Sequence, residues 1–215
     1  MMAMNRGLEH MLSRPRTARL ALIVIIVAIL WGVGIWRINA TAPHYASERY
    51  GMNDPVALDG AFLDSSFENT GGYSITVRRA RTMSSRAYVR EYGSSGFERA
   101  SSSVPLSDER SVVVLEMLVE HKGSEEGFFN IMNSSLVPGR NNFLYRADIE
   151  LWKLVEPRAQ PGVKLEPNSS IVIHMPYSAG FSRHGNPYRE KVEDRSFLLE
   201  VSAAPVRKVI EVSAS

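Results

Sequence analysis

The sequence predicts an all-β domain preceded by one N-terminal transmembrane helix. An unbroken apolar run without any charged residue covers positions 20–36. From position 56 onward, apolar and polar residues alternate with a period of two, which is typical of half-buried strands, and no convincing 3.6-residue period follows the apolar run. Several short strands separated by turn residues predict an immunoglobulin-like β-sandwich, with a small β-barrel as the alternative.

The apolar run has the length of a membrane span. Its 17 residues would extend about 25 Å as a helix, near the short limit for a hydrocarbon core of about 30 Å. Arg19 and Arg37 flank the run and can reach the lipid headgroups. Trp31 and Trp36 lie where an interfacial aromatic belt would sit. We therefore predict a transmembrane helix over residues 18–38, with these four residues as its anchors in the bilayer interface.

The charges beside the span predict its orientation. The N-terminal flank carries four arginines against one glutamate: Arg6, Arg14, Arg16, Arg19 and Glu9. The positive-inside rule then places a tail of residues 1–17 in the cytoplasm and the body outside the cell membrane. A cleaved signal peptide is the competing interpretation, because residues 40–42 resemble a cleavage site, although Pro43 directly after them disfavours cutting.

Composition narrows the class of protein further. Beyond position 37 the chain keeps 20 of its 25 basic and 22 of its 23 acidic residues, so the body is slightly acidic. A nucleic-acid-binding domain would concentrate basic residues there, and we expect no nucleic-acid partner. The chain has no cysteine, which excludes disulfides and a cysteine-linked lipid. For an exported domain, this composition favours a Gram-positive bacterium over a eukaryotic secretory route.

After the span, residues 39–55 are predicted to form a juxtamembrane linker, and residues 56–215 the extracellular domain. The first clear strand begins at Tyr73, after a pair of glycines. Five arginines follow closely: Arg78, Arg79, Arg81, Arg86 and Arg90. Together with the nearby tyrosines they would suit an anionic wall polymer or lipid headgroups. A solvated strand edge protected by charge is the simpler interpretation.

Further strands are predicted by the same alternation at 111–121, 128–132, 143–154, 171–175, 197–201 and 206–212. Asp148 and Glu150 share one face of the predicted strand at 143–154. Paired carboxylates there would suit acid–base chemistry or calcium binding if partners came from elsewhere. A solvated outer face explains them more simply.

The longest irregular polar segment spans residues 176–195. Long loops in compact domains are often functional, and this one is rich in aromatic and charged residues that suit a protein partner. The candidate partner-binding residues are Tyr177, Phe181, Arg183, His184 and Tyr188.

Catalytic motifs are missing from the sequence. There is no cysteine nucleophile, no Ser-x-x-Lys and no Gly-x-Ser-x-Gly motif. His121, His174 and His184 lack the spacing of metal ligands. We therefore predict no enzymatic activity, no cofactor and no metal. A hydrolase assembled from scattered acidic residues and histidines ranks last among the functions considered, since it would need a pocket of carboxylates with raised pKa.

Three segments, VVVLEMLVEH, NFLYRADIELWKL and LEPNSSIVIHMPYS, resemble small exported β-domains of uncharacterised Gram-positive surface proteins. The L-x-P-x-S-S step into a strand is the most family-like feature. The resemblance implies a short basic tail, one span and an immunoglobulin-like ectodomain, and it implies no site. We therefore expect a non-enzymatic, membrane-anchored binding or accessory module with a protein partner. A surface protein that binds wall polymer or lipid is the alternative.

Overall fold

The structure is a computed structural model. It describes residues 15–41, 46–64, 67–93, 106–108, 110–139, 144–179, 192–193 and 195–215. The chain divides into two compact units, Met1–His44 and Tyr45–Ser215, which are described in turn.

The described residues of the first unit form the helix α1 over Pro15–Thr41. Within it, the segment Arg19–Thr41 has a mean hydropathy of 2.4 and is long and apolar enough to cross a membrane. A signal sequence would meet the same criteria. All four predicted interface anchors lie on α1, with their side chains exposed. The helix extends three residues beyond each end of the predicted span, 18–38.

The described part of the second unit is mostly β. Its strands are β1 Ala46–Tyr50, β2 Val56–Ala57, β3 Tyr73–Ser84, β4 Ser111–His121, β5 Phe129–Asn130, β6 Ser135–Pro138, β7 Tyr145–Ala147, β8 Gly162–Val163, β9 Ser169–Ala179, β10 Ser196–Ser202 and β11 Val206–Ser213. Its helices are α2 Ser85–Tyr92, a 3-10 turn η1 Ile131–Asn133, and α3 Ile149–Val155.

Nine of these strands form one sheet in the order β1-β11-β10-β6-β7-β9-β4-β3-β2, and β5 pairs separately with β8. Beyond β11, the Ser215 amide donates to the Ala80 carbonyl (3.2 Å), and the Thr82 amide donates to the Ser215 carbonyl (3.0 Å). These bonds join the far end of the sheet back to β3. The result is a nearly closed, barrel-like sheet. The predicted sandwich is not confirmed, since alternation indicates which side chains face a core and not how the sheet curves.

The interior is filled by alternate residues of the long strands, as the period of two predicts. The inward set on β4 is Val113, Leu115, Met117 and Val119, with Ile173, Met175 and Tyr177 from β9. A second apolar cluster lies under α2 and α3, on the other face of the sheet: Tyr88, Val89, Val112, Val114, Leu151 and Leu154. Strand β4 is therefore buried on both faces over Val112–Leu115.

Several predicted elements are wrong in type. The predicted strand 143–154 ends at residue 147, because Asp148 accepts the Leu151 amide (3.0 Å) and caps α3. Likewise the Ser84 hydroxyl accepts the Ala87 amide (3.1 Å) and caps α2, so the prediction of no helix beyond the span fails. The predicted strand 128–132 turns into η1 after two residues. Strand β1 lies within the predicted linker.

Candidate functional site

A cleft of about 260 Å³ opens between the segment before β3, the turn η1 and the β6–β7 pair. It is lined by Leu63, Asp64, Met132, Asn133, Ser134, Ser135, Leu144 and Arg146. Met132 and Leu144 are partly exposed and give the rim an apolar character. The carboxylate of Asp64 and the guanidinium of Arg146 form no ion pair with any other residue that the structure describes. The cleft therefore offers both signs of charge beside apolar surface.

Hydrogen bonds hold both walls of this cleft in place. The buried carboxylate of Glu68 accepts the Asp64 amide (3.1 Å) and the Asn130 amide (3.3 Å). The Ser134 hydroxyl lies 2.7 Å from the hydroxyl of Tyr177. Burial raises the pKa of Tyr177, so the tyrosine hydroxyl keeps its proton. A cleft whose walls are already ordered loses little entropy when it binds a ligand.

The predicted partner-binding loop begins later than expected. Strand β9 continues to Ala179, and Tyr177 is fully buried in the core. Tyr177 is therefore a structural residue that cannot contact a partner, because residue 177 still follows the inward alternation of the strand. The other four candidates, Phe181, Arg183, His184 and Tyr188, lie outside the described residues.

The five arginines of the candidate anionic-polymer patch lie on β3 and α2. Three form ion pairs: Arg79 with Glu116 (4.0 Å), Arg81 with Glu91, and Arg86 with Asp108 (3.4 Å). Arg78, at a bulge in β3, and Arg90 are exposed and have no acidic partner within the ranges the structure covers. Strand β3 lies between β4 and β2 in the sheet order, but β2 pairs only with Ser74 and Ile75, so it does not cover the part of β3 that carries the arginines. Much of the positive charge is compensated locally.

The described histidines have structural surroundings. His121 is buried and stacked on Tyr73 with ring centroids 4.4 Å apart. His174 stacks on Tyr92 at 4.4 Å, and burial lowers the pKa of His174. In the described ranges, no group of three His, Cys, Asp or Glu side chains is arranged to hold a metal ion.

The predicted carboxylate pair is wrong, because Asp148 and Glu150 do not share a strand face. Asp148 is buried, forms an ion pair with Arg110 and accepts the Ser178 hydroxyl (2.8 Å). Glu150 is exposed and lies 3.5 Å from Lys153. An Asp before an apolar segment, with a Glu in the first turn, is a helix-start signature that the alternation concealed.

Comparison with known proteins adds a family. The model of DUF5028, a domain of unknown function, matches residues 47–208, about three quarters of the chain. No curated protein matches the chain. Three solved Bacillus structures are similar in part. The predicted lipoprotein YcdA of Bacillus subtilis has 11% identity and a TM-score of 0.38, and the match covers 66% of this chain and 36% of YcdA. The YjhA protein of Bacillus subtilis has 11% identity and a TM-score of 0.39 (76% of this chain, 99% of YjhA), and a conserved hypothetical protein of Bacillus anthracis has 14% identity and a TM-score of 0.36 (73% of this chain, 95% of that protein).

Proposed function

We propose that this chain, which belongs to the DUF5028 family, is a non-enzymatic membrane-anchored module that binds a polypeptide outside the membrane. The observation that carries the proposal is the ordered cleft in which Asp64 and Arg146 lie among exposed apolar side chains. Arginine, methionine and aromatic residues are enriched at protein interfaces. Phe67, 87% exposed, directly precedes Glu68, which anchors one wall. A basic side chain of the partner would meet Asp64, and an acidic one Arg146.

The size and openness of the cleft favour a polypeptide over a small molecule. Typical small-molecule pockets enclose about 300–1,000 Å³ and bury most of the ligand. This cleft, at about 260 Å³, is smaller, and both rim residues remain more than one-third exposed. A side chain or turn of a partner protein fits such a shallow, partly apolar site.

In this proposal α1 is an uncleaved anchor, the N-terminal tail is cytoplasmic and the β domain faces outward. The four arginines before the apolar run support that orientation. An exported domain without cysteine supports a Gram-positive cell surface. Protease treatment of intact cells, with a tag on each terminus, should remove the C-terminal tag and spare the N-terminal one. Survival of both tags, or release of a free C-terminal fragment, contradicts the anchored ectodomain.

The cleft is tested by placing a photo-crosslinking amino acid at Leu144 in the full chain. We expect one defined adduct, which Asp64→Lys combined with Arg146→Glu abolishes. The matched control carries the crosslinker at Arg158, which is exposed and lies outside the cleft. The same adduct from both positions, or an adduct that persists in a folded charge-reversal variant, contradicts binding at the cleft.

Binding to an anionic wall polymer or to lipid headgroups is the second candidate function. It rests on the exposed arginines Arg78 and Arg90, for which the described residues supply no acidic partner. Cosedimentation with anionic vesicles should weaken with added salt, because salt screens exposed charges. Arg78→Gln with Arg90→Gln should abolish the effect, whereas Arg86→Gln, already paired with Asp108, should change it little.

A further inference from the structure

Strand β9 has one open edge in the described part of the molecule. It pairs with β4 from Ser169 to Tyr177. On its other side β7 pairs with it from Tyr177 to Ala179. Between residues 169 and 175, the described chain supplies no strand for that second side. The opening therefore lies on the β7 side of β9, in the middle of the sheet order.

The direction of the backbone groups along this edge follows from one hydrogen bond. The Asp148 amide donates to the Pro176 carbonyl (2.8 Å), so residue 176 points its backbone toward the side of β7. In an antiparallel strand the N–H and C=O of a residue point to the same side, and successive residues alternate. The β4–β9 register has no shift. Ser170, Val172 and His174 therefore point their backbone groups at the open side.

Most of these groups lack a partner among the described residues. The His174 carbonyl accepts the Tyr88 hydroxyl (2.8 Å). The His174 amide, and the amides and carbonyls of Ser170 and Val172, have no partner that the described ranges provide. Ile171 and Val172 are 44% and 41% exposed. Within the described ranges, the amide of His174 and the amides and carbonyls of Ser170 and Val172 thus form a row without partners, beside apolar side chains.

Soluble proteins normally protect such an edge. The usual devices are charged side chains, proline, a bulge or a covering loop, because an unprotected edge pairs with another strand. The segment Ser169–Met175 contains no charged residue and no proline. Its ladder with β4 has no bulge. The edge therefore has the features of a strand that pairs.

We propose that this edge pairs with the same edge of a second copy, in an antiparallel strand pair centred on Val172. A two-fold axis at Val172 places Val172 opposite Val172 of the second copy. The same axis places Ser170 opposite His174 of the second copy. Every outward-pointing residue then occupies a hydrogen-bonded position, because hydrogen-bonded pairs recur at every second residue. Such a contact is isologous and closes on itself.

The occupant is a second copy because the edge is self-complementary. Each outward-pointing residue finds an outward-pointing partner under the two-fold axis. The segment is uncharged, so no like charges meet across the pair. One strand pair buries little area compared with about 1,600 Å² in a standard interface. Tethering both copies to one membrane would raise their effective concentration and offset that small area, a point that rests on the proposed anchoring.

The test uses the absence of cysteine from the chain. Val172→Cys in the full chain, in membranes under mild oxidation, should form a disulfide-linked dimer. The Cα atoms of a hydrogen-bonded antiparallel pair lie about 5.5 Å apart, within the range of a disulfide. Ser170→Cys is the matched control. It lies on the same open edge, but its two copies would be four positions out of register, about 14 Å along the strands, so it should not crosslink.

Charge substitution provides an independent test. Val172→Lys and Val172→Glu should each abolish association of the full chain, measured by energy transfer between labelled copies in proteoliposomes, and an equimolar mixture should restore it. Val172→Pro should also dissociate the copies. It removes the amide that points at the second copy and leaves the hydrogen bonds between β9 and β4 intact.

Three outcomes would overturn the proposal. They are equal crosslinking at 170 and 172, a folded Val172→Cys chain that stays uncrosslinked, and a crosslink to another protein. The cleft variants should leave dimerisation unchanged. A failure of the dimer proposal can therefore be distinguished from a failure of the proposed binding function.

Discussion

In the part of the chain that the structure describes, two interruptions of backbone pairing in the barrel-like sheet differ in how side chains surround them. The first is the seam between the terminal strands of the sheet, β1 and β2. There the Lys208 side chain, 7% exposed, donates to the Ala57 carbonyl on β2. Its ammonium also lies 3.7 Å from the carboxylates of Glu48 on β1 and Asp59 beyond β2. One buried cation thus bridges the two edge strands. At the second interruption, the edge of β9 around Val172, the described residues supply no comparable side chain.

An inward-pointing charge is a known way to protect a sheet edge from other strands. It also fixes register, because the charge must remain with its partners. The contacts of Lys208 therefore stabilise the seam within the fold. At the β9 edge, the outward backbone groups can still pair with another strand. The difference indicates that the unpaired backbone groups at β9 are a local property of that strand. They do not reflect weak pairing throughout the sheet.

The largest expected effect comes from Asp148, whose amide donates to the Pro176 carbonyl where the paired part of β9 begins. Asp148→Ala removes the carboxylate that pairs with buried Arg110, caps α3 and accepts the Ser178 hydroxyl. Removing one member of a buried ion pair costs about 3–5 kcal/mol, because the remaining charge stays desolvated. Urea unfolding should show a loss of this size. Glu150→Ala, at an exposed position two residues later, should change the free energy of unfolding by less than about 0.5 kcal/mol.

Lys208→Met tests the sealed seam and should have the next largest effect. Methionine keeps most of the apolar stem and removes the donor to Ala57 and both carboxylate contacts. Hydrogen bonds to charged groups contribute about 1.5–3 kcal/mol, so we expect a loss in that range. Amide hydrogen exchange should accelerate in β1 and β2. The control Lys122→Met removes an exposed pair with Glu120 and should be nearly neutral. Equal effects of both substitutions would contradict the role of Lys208 in bridging the seam.

Tyr88→Phe sharpens the comparison at the boundary of the open edge. It removes the hydroxyl that donates to the His174 carbonyl and leaves the ring in the cluster under the helices. Burial raises the pKa of Tyr88, so the donor remains protonated throughout the neutral range. The expected loss in free energy of unfolding is about 1 kcal/mol, measured by urea titration. Tyr50→Phe removes an exposed hydrogen bond to Glu48 (2.6 Å) and should cost less.

The sequence predicted those parts of this comparison that depend on alternation. The alternation over 111–121 and 171–175 predicts strands there, and the structure has them as β4 and part of β9, because side-chain direction in a strand has a fixed period. The role of Lys208 could not be predicted, since its partners on β1 and β2 are distant in sequence. The open edge escaped prediction for the same reason, because strand order depends on contacts between segments far apart in the chain.

The helices and the cleft escaped prediction for different reasons. Helix α3 has seven residues, too few for a clear 3.6-residue period, and Ile149 and Leu151 also fit the alternation of the preceding strand. The cleft combines Asp64 with Arg146, which are 82 positions apart and belong to no motif. Tyr177 was misplaced because the predicted strand 171–175 stops before Pro176, whereas β9 continues through it to Ala179. Proline is tolerated there because residue 176 would point its amide away from β4.

The smallest expected effect is a pH dependence confined to the β9 region. Burial lowers the pKa of His174, while Glu116 and Glu91 oppose the shift and Arg79 adds to it. The unfolded chain therefore binds a proton more readily than the folded one. Stability should be fully present above the ordinary histidine pKa of about 6.5 and should fall as pH drops through the lower folded value.

His174→Gln should remove that part of the pH dependence when urea unfolding is compared at pH 7 and pH 5. Hydrogen exchange then shows where acid acts, because protonation of His174 disturbs its stacking on Tyr92 beside the open edge. Exchange should accelerate in β9 and α2 and remain unchanged at the seam around Lys208, which is distant from His174 in the sheet order. Equal acceleration in β1 and β9 would mean that acid loosens the whole sheet, and the contrast between a sealed and an open edge would then not extend to their dynamics.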